Sequence, residues 1–151
     1  MEIATARLVL VPLDADERAA ISGGRRDGRR WADDYPTEGD VVIAGMSSAP
    51  PPWSHFQVRE RASGLAVGGV GFHGVPADGV VEIGYGLAES ARGNGYATEA
   101  VRALVDLARE HGATAVIAHT DAGNAASDRV LARVGFTRPS TDDASAWRLD
   151  L

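Results

Sequence analysis

Residues 91–100 read Ala-Arg-Gly-Asn-Gly-Tyr-Ala-Thr-Glu-Ala, so two glycines stand directly before a long amphipathic segment. The apolar run at 80–87, Val-Val-Glu-Ile-Gly-Tyr-Gly-Leu, precedes them and is typical of a strand. This order predicts a strand, a glycine-rich turn and the N-terminus of a helix. Such a turn suits an anion, because the first N–H groups of a helix lack internal partners and the helix dipole favours negative charge there.

The helix after the turn is predicted from its apolar spacing. Six residues recur at helical intervals and form one buried stripe: Ala97, Ala100, Val101, Leu104, Val105 and Ala108. Polar residues such as Glu99 and Arg102 occupy the opposite face. Gly112 is predicted to end the helix in a left-handed conformation. A helix packed on a core would hold the turn rigid.

Two other anion-binding patterns are excluded. The P-loop requires a lysine, and this chain contains none. Residues 69–74, Gly-Val-Gly-Phe-His-Gly, match the dinucleotide pattern G-x-G-x-x-G. That pattern must open a helix, whereas the residues that follow it, Val-Pro-Ala-Asp-Gly at 75–79, predict a hairpin turn.

The stretch from Arg92 to Ala97 resembles the [Q/R]-x-x-G-x-[G/A] pattern of the GNAT superfamily, the acyl-CoA-dependent N-acetyltransferases. Three further stretches are similar to that family in the same order. They are an opening strand at 5–13, a fourth strand at 82–85 and a helix that begins at Asn124 and ends at Val134-Gly135-Phe136. The set is most similar to the branch that acetylates the N-termini of ribosomal proteins. The resemblance covers nearly the whole chain and is weakest between residues 14 and 56.

The resemblance implies an α+β fold in one domain, residues 1–151. In this GNAT-type fold, a central mixed, mostly antiparallel sheet has helices on both faces and splayed parallel strands at the cofactor site. Acetyl-CoA is the implied co-substrate, with its pantetheine arm against free backbone amides around Leu87 and Ala88. An amide near Tyr85 or Gly86 is expected to face the thioester oxygen. The implied cofactor contacts are Leu87, Ala88, Arg92, Gly93, Asn94, Gly95, Tyr96, Ala97 and Asn124.

The composition of the chain indicates which classes of binding partner to expect. A formal net charge of −6 argues against nucleic-acid binding and suits a cationic acceptor such as an amine. No apolar run reaches about 18 residues, so no membrane span is expected. The start of the chain does not resemble a signal peptide, and a cytoplasmic monomer or homodimer is expected. His119 and Asp121 are two ligands without a third, so no metal site is predicted.

Amide formation needs a group that accepts the amine proton, but it needs no covalent nucleophile. Consistently, the chain contains no G-x-S-x-G elbow. Glu82 is the first candidate for the general base, acting through water, because it lies in the strand that leads to the glycine turn. The alternative is a solvated, outward-facing Glu82. His73, at the end of the preceding strand, is the weaker candidate.

Asn124 is predicted to cap the helix that follows it. Ser127 is a candidate either for a cofactor contact or for the acid that protonates the departing thiolate. Many members of the family carry a tyrosine acid four residues before the Gly-Phe pair, whereas this chain has Leu131 there. The resemblance therefore supplies no tyrosine acid at that position.

The acceptor is predicted to bind near residues 31–40, which combine two aromatic residues with four carboxylates. A groove lined by them would take a cationic amine, either a small molecule or a protein N-terminus. An acidic solvated loop is the alternative. A CoA-binding module without acetyltransferase turnover is the alternative function.

Other elements are predicted from periodicity and turn residues. Residues 14–31 are expected to form one or two short helices broken near 22–24, and residues 124–134 a helix. Residues 33–52 are expected to be loop-rich. Residues 136–151 are expected to form a closing hairpin. The expected strands are 6–12, 55–61, 65–73, 80–87 and 114–119.

Overall fold

The computed structural model describes residues 1–139 and 143–151, which form a seven-stranded sheet flanked by helices. The strands are β1 (Ile3–Ala4), β2 (Leu8–Pro12), β3 (His55–Glu60), β4 (Ala66–Phe72), β5 (Val80–Leu87), β6 (Ala115–His119) and β7 (Ala146–Asp150). The helices are α1 (Ala15–Gly23), α2 (Glu38–Ala44), α3 (Tyr96–Glu110) and α4 (Ala125–Val134), and a short 3-10 turn covers Glu89–Ala91.

The strands lie side by side in chain order. Each neighbouring pair is antiparallel except β5 and β6, which are parallel. Parallel neighbours need a crossover connection, and α3 supplies it. This architecture confirms the predicted α+β fold with a mixed, mostly antiparallel sheet. The glycine turn therefore lies where β5 ends and the crossover begins.

One face of the sheet carries the main apolar core and packs against α3. Successive side chains of a strand point to opposite faces, so every second residue contributes to this core. Its strand residues include Leu8, Leu10, Phe56, Val58, Phe72, Val81 and Ile83. The predicted stripe of α3 is buried against them, except that Ala97 is half-buried and Thr98 is buried beside it. Burial of such a large apolar side chain contributes about 1.5–3 kcal/mol.

The other face is covered in part by α1 and α2. Asp14 caps α1 by accepting a hydrogen bond from Glu17 N (2.7 Å). The helix ends before Gly24, which adopts a left-handed conformation. Residues 25–31 are not helical, so only the first half of the predicted 14–31 helix forms. The stretch at 33–52 is loop-rich as predicted, but it also contains α2, which was not predicted. Its start is a capping box in which Thr37 Oγ1 accepts from Asp40 N (3.2 Å) and Asp40 Oδ2 accepts from Thr37 N (2.9 Å).

A tight hairpin turn joins β4 to β5. Ala77 and Val80 exchange two backbone hydrogen bonds of 2.9 Å, with Asp78 and Gly79 at φ values of 50° and 80°. Positive φ at both central residues defines a type I′ turn, which matches the twist of antiparallel strands. The dinucleotide-like glycines thus lie in and just after β4 and lead to a hairpin, as predicted.

The last part of the chain returns along β6. Thr137 and Arg148 exchange backbone hydrogen bonds of 2.9 and 2.8 Å, and β7 pairs antiparallel with β6. The predicted closing hairpin is confirmed at this pair, and its residues 140–142 lie outside the described part of the chain. Gly112, at a φ of 86°, follows the end of α3 as predicted.

Candidate active site

The parallel strands β5 and β6 separate part-way along their length. Their pairing ends at Ile83 and Ala118, whereas β5 continues to Leu87. In β5 the even-numbered residues bond to β4, as shown by His73 N donating to Glu82 O (2.8 Å). The odd-numbered Tyr85 and Leu87 therefore direct their N–H groups toward the edge of β5 that no longer pairs with β6. These two N–H groups line an open cleft.

The glycine turn lies at the end of this cleft. Gly93 and Gly95 adopt left-handed φ values of 81° and 79°. Gly95 is the N-cap of α3 and has no side chain to cap it, so the N–H groups of Tyr96 and Ala97 have no partner in the helix. A Cβ added at Gly93 would meet no described atom within 4 Å, so this position faces open space. The turn has the form of a cradle for a phosphate group.

An arginine outside the turn holds the cradle in place. Arg7 donates to the carbonyl of Asn94 (2.6 Å) and to the carboxylate of Glu99 (2.8 Å). Its guanidinium also lies 4.8 Å from the ring centre of Tyr96, whose hydroxyl donates to Glu60 (2.7 Å). These contacts tie the first turn of α3 to the neighbourhood of β2 and to β3. The sequence analysis did not single out Arg7, because only the tertiary fold brings residue 7 to residue 94.

A cavity of about 310 Å³ lies under α1 and α2, against the second face of the sheet. Its floor is a patch of four glycines from β4 and β5. Gly69 pairs with Gly86 and Gly71 pairs with Gly84, so the four form two adjacent rows. Apolar side chains form most of the wall: Leu13, Ile21, Val42 and Ile43. The glycines of the dinucleotide-like pattern thus serve as a floor that leaves room for other groups.

Polar side chains occupy the space that the glycines leave. A Cβ added at Gly69 would lie 2.6 Å from Asp40 Oδ1, and one added at Gly84 would collide with His73 Nε2. A Cβ at Gly71 would be 3.1 Å from His55 Cδ2. The predicted acceptor region contributes Asp40 to this site, whereas His55 was not foreseen.

The electrostatics of these groups differ. Burial raises the pKa of Asp40, although hydrogen bonds from Thr37 to its Oδ2 act in the opposite direction. Burial, followed by the charge of Arg18, lowers the pKa of His55. An Arg18 nitrogen lies 3.1 Å from His55 Nδ1, and because arginine can only donate, this Nδ1 accepts. His55 is therefore a neutral ring with its proton on Nε2.

Glu82 lies behind the cavity wall. Its Oε2 is 3.1 Å from Nδ1 of His119 and 3.7 Å from Nδ1 of His73. His73 lines the cavity and Glu82 does not, so His73 stands between Glu82 and the cavity. The sequence, which predicted Glu82 ahead of His73 as the general base, does not reveal which of them the register places over Gly84.

Tyr85 of β5 contacts helix α4 across the cleft. Its hydroxyl is 2.6 Å from Ser127 Oγ and 3.2 Å from Ser127 O, and burial raises the pKa of Tyr85. Asn124 Oδ1 accepts from Ser127 N (3.1 Å), which confirms the predicted helix cap. Leu131 is fully buried in the core. Tyr85 therefore places a tyrosine hydroxyl at the cleft, a feature that the sequence analysis missed.

Most of the predicted cofactor residues gather at the cleft and the turn: Leu87, Arg92, Gly93, Asn94, Gly95, Tyr96 and Ala97. Asn124 lies at the start of α4. The prediction of a free amide at Ala88 is wrong. Ala88 is 0% exposed, its N–H donates to Val67 O (2.8 Å) and its carbonyl accepts from Ala91 N (2.9 Å). No atom of Ala88 is left for a ligand, because Ala88 follows the even-numbered pattern of β5.

Comparison with known proteins agrees with this geometry. The pattern of the acetyltransferase (GNAT) domain matches residues 7–137. The chain therefore belongs to the GNAT acetyltransferase family. Acetyl transfer is the activity that this family implies, with acetyl-CoA as the donor at the family level. No curated protein sequence matches the chain.

Solved acetyltransferases share the fold. One from Agrobacterium tumefaciens str. C58 matches with a TM-score of 0.71 at 23% identity, over 99% of this chain and 94% of that chain. RimL, the ribosomal L7/L12 alpha-N-protein acetyltransferase in complex with coenzyme A, matches with a TM-score of 0.70 at 16% identity, over 100% and 98%. The ribosomal-protein-S5-alanine acetyltransferase from Vibrio fischeri matches with a TM-score of 0.68 at 13% identity, over 99% and 96%.

Two further observations concern residues 1–139 and 143–151. None of their helices has the length and apolar character needed to cross a membrane. No group of three or more histidine, cysteine, aspartate or glutamate side chains in these ranges is arranged to hold a metal ion.

Proposed function

We propose that this protein transfers the acetyl group of acetyl-CoA to the nitrogen of a primary amine by direct attack. The observation that carries the proposal is the cleft between β5 and β6, where the N–H groups of Tyr85 and Leu87 lack strand partners. The cleft leads to the glycine turn on one side of β5, and the glycine-floored cavity lies on the adjacent face. A donor in the cleft and an acceptor in the cavity would thus meet at β5.

The chain offers suitable groups to acetyl-CoA. The N–H group of Leu87 would pair with the pantetheine arm, and the turn from Arg92 to Ala97 would hold the pyrophosphate. Arg92, which is exposed, adds a positive charge beside the free N–H groups. Asn124 borders the cleft from α4. The thioester supplies an activated carbonyl, and the N–H group of Tyr85 is positioned to stabilise the developing oxyanion.

Proton transfer is assigned to His73 and Glu82. In the transfer, the amine nitrogen forms a bond to the carbonyl carbon, the carbon–sulfur bond breaks, and sulfur leaves as a thiolate. The surplus proton of the nitrogen goes to His73 Nε2, which faces the cavity. Glu82, 3.7 Å from the other ring nitrogen, orients the ring and stabilises its charged form.

One assignment for Ser127 makes its hydroxyl, paired with that of Tyr85, the proton donor to the thiolate. Their separation of 2.6 Å allows one hydroxyl to be re-protonated through the other. The alternative assignment for Ser127 is a hydrogen bond to the cofactor without proton transfer. These two assignments predict different kinetics.

The acceptor class remains a primary amine of a small molecule or of a protein N-terminus. RimL and the Vibrio fischeri enzyme, which share the fold, are named for ribosomal proteins, and this keeps a protein N-terminus among the candidates. The acidic character of the chain favours a cationic acceptor of either kind.

The test is a panel of primary amines and short peptides incubated with acetyl-CoA. Free-thiol release measures donor turnover, and mass spectrometry of the amine measures its acetylation. We expect thiol release that depends on the amine, with one acetyl group gained for each thiol. Tight CoA binding without turnover of any panel member would replace this proposal with a CoA-binding module.

A further inference from the structure

Among residues 1–139 and 143–151, the hydrogen bonds to Asp40 reach only one of its two carboxylate oxygens. Oδ2 accepts both hydrogen bonds from Thr37, whereas Oδ1 faces the cavity above Gly69. None of the ion pairs in residues 1–139 and 143–151 includes Asp40. A carboxylate in such a site is costly without a cation beside it. A cationic ligand would offset that cost.

The register of β4 and β5 places His73 near this oxygen. Because Gly69 pairs with Gly86 and Gly71 pairs with Gly84, Gly69 and Gly84 are diagonal neighbours on one face of the sheet. Such neighbours lie about 7–8 Å apart. Asp40 Oδ1 stands above the first of them and His73 Nε2 above the second. Asp40 Oδ1 and His73 Nε2 therefore face the same part of the glycine floor, where one small ligand can contact both.

This position adjoins the cleft. Tyr85 lies between Gly84 and Gly86 in β5, and its N–H group points into the gap that β6 leaves. The space between Asp40 and His73 is therefore directly above the strand segment that borders the proposed thioester position. With no side chain at either glycine, nothing on β5 separates the cavity from the edge of the strand.

We propose that Asp40 and His73 bracket the amine nitrogen of the acceptor in this cavity, and that the acceptor is a small primary amine with a compact apolar body. The inference rests on the proposed amine acetylation and names the acceptor class. Asp40 receives the ammonium form, which loses one proton to water before attack, and His73 accepts the second proton of the nitrogen as the carbon–nitrogen bond forms.

The cavity selects among amines by size and charge. Its volume of about 310 Å³ is at the lower end of the range for ligand pockets, so it accommodates a compact body rather than a peptide chain. Ile21 and Ile43 are part of a wall that is mainly apolar. A carboxylate next to the amine, as in a free amino acid, would be repelled by Asp40. An uncharged arylalkyl body is the best match to these constraints.

The experiment compares three acceptors with wild-type protein and saturating acetyl-CoA: 2-phenylethylamine, phenylalanine and an alanine tetrapeptide. We expect kcat/KM for 2-phenylethylamine to exceed that for the other two by at least tenfold. The Asp40→Asn variant keeps an oxygen for Thr37 but loses the charge, and it should lower kcat/KM for 2-phenylethylamine by at least tenfold. Its affinity for CoA, measured by calorimetry, should stay unchanged.

Glu38→Gln is the matched control, because Glu38 is an exposed carboxylate of the same helix and its loss changes the net charge equally. Gly69→Ala is the second variant. It keeps the negative charge of Asp40 but places a methyl group 2.6 Å from Oδ1, so Oδ1 must shift, and it should lower kcat/KM in the same way. Thermal unfolding of each variant reports whether the fold is retained.

Three results would overturn the inference. One is equal kcat/KM for Asp40→Asn and Glu38→Gln. A second is preference for the tetrapeptide or for phenylalanine, and either of these two results leaves amine acetylation intact. If Asp40→Asn fails to fold, an unaffected Gly69→Ala enzyme is the third. Absence of turnover with every amine, by contrast, would reject the proposed function and this inference with it.

Discussion

The Nδ1 atom of His119 lies 3.1 Å from Oε2 of Glu82, and the Nε2 atom of the same ring lies 3.3 Å from Oδ2 of Asp143. His119 is thereby held between two carboxylates. The same Glu82 oxygen is 3.7 Å from His73, so one carboxylate oxygen connects imidazoles on both sides of β5. This arrangement fixes the direction in which Glu82 points and, through it, the ring that faces the cavity.

Glu82→Gln should lower kcat by about 10- to 1000-fold, because an amide keeps the shape of the side chain but cannot stabilise a protonated His73. Calorimetric affinity for CoA should be unchanged. Glu110→Gln, at the exposed end of α3, is the control for loss of one negative charge. The residual rate should rise at alkaline pH, where free amine is abundant. An unchanged kcat near neutral pH would remove Glu82 from the mechanism.

Gly93→Ala should weaken CoA binding at least tenfold, about 1.4 kcal/mol. The added methyl group would enter the open space where a phosphate is expected. Gly112→Ala is a closely matched control, since both glycines have left-handed φ values (81° and 86°) and neither would meet a neighbour within 4 Å among the described residues. Calorimetry on both variants distinguishes loss of the phosphate site from the effect of backbone strain on CoA binding. Equal affinities would argue against a phosphate at Gly93.

Ser127→Ala distinguishes the two roles of that hydroxyl. If it only contacts the cofactor, CoA affinity should fall by about 1 kcal/mol, the value of one hydrogen bond, with kcat preserved. If it relays a proton, kcat at saturating acetyl-CoA should fall at least tenfold, and Tyr85→Phe should cause a similar loss. We expect the first pattern, because a thiolate is a good leaving group. A tenfold loss of kcat in both variants would establish the relay.

Stability should fall as the pH drops below about 6.5, the usual pKa of histidine, because burial and Arg18 lower the pKa of folded His55. In that range the unfolded chain binds a proton that the folded protein does not. The slope contributed by His55 reaches at most about 1.4 kcal/mol per pH unit. His55→Asn retains an acceptor for Arg18 but cannot titrate, so urea unfolding between pH 7 and 5 should show a flatter dependence. The variant His111→Asn, at an exposed position, controls for the replacement of a histidine by asparagine.

Local signals in the sequence predicted the strand, turn and helix around residues 80–112 because they depend on periodicity and glycine positions alone. The helix cap at Asn124 follows from similar short-range chemistry. The helix α2 within the loop-rich stretch at 33–52 was not predicted, because its capping box uses Asp40 in the position where glutamate or glutamine is the usual signal. Ala88 was assigned wrongly because the sequence does not reveal which alternate residues of β5 bond to β4.

The cavity could not be predicted from the sequence, for a different reason. Its polar groups come from α2, β3 and the end of β4, and only the register of the sheet brings them over the four glycines. The signal was present in Gly69 and Gly71, which belong to the pattern at 69–74 that does not form a nucleotide motif. Two glycines spaced by one residue in a strand, paired with two more in the next strand, indicate a bare surface that something else must occupy.

Asp40 has one further consequence, which concerns how the site can change over time. Its Oδ2 closes the first turn of α2, while Oδ1 faces the cavity. Cavity occupancy and the folding of α2 are thus linked equilibria, and a ligand that engages Oδ1 should slow amide hydrogen exchange throughout the helix. A substitution of Asp40 alters both the occupancy of the cavity and the folding of α2. Substitutions at the wall residues Ile21 and Ile43 can therefore change the ligand preference without unfolding α2, which covers the cavity.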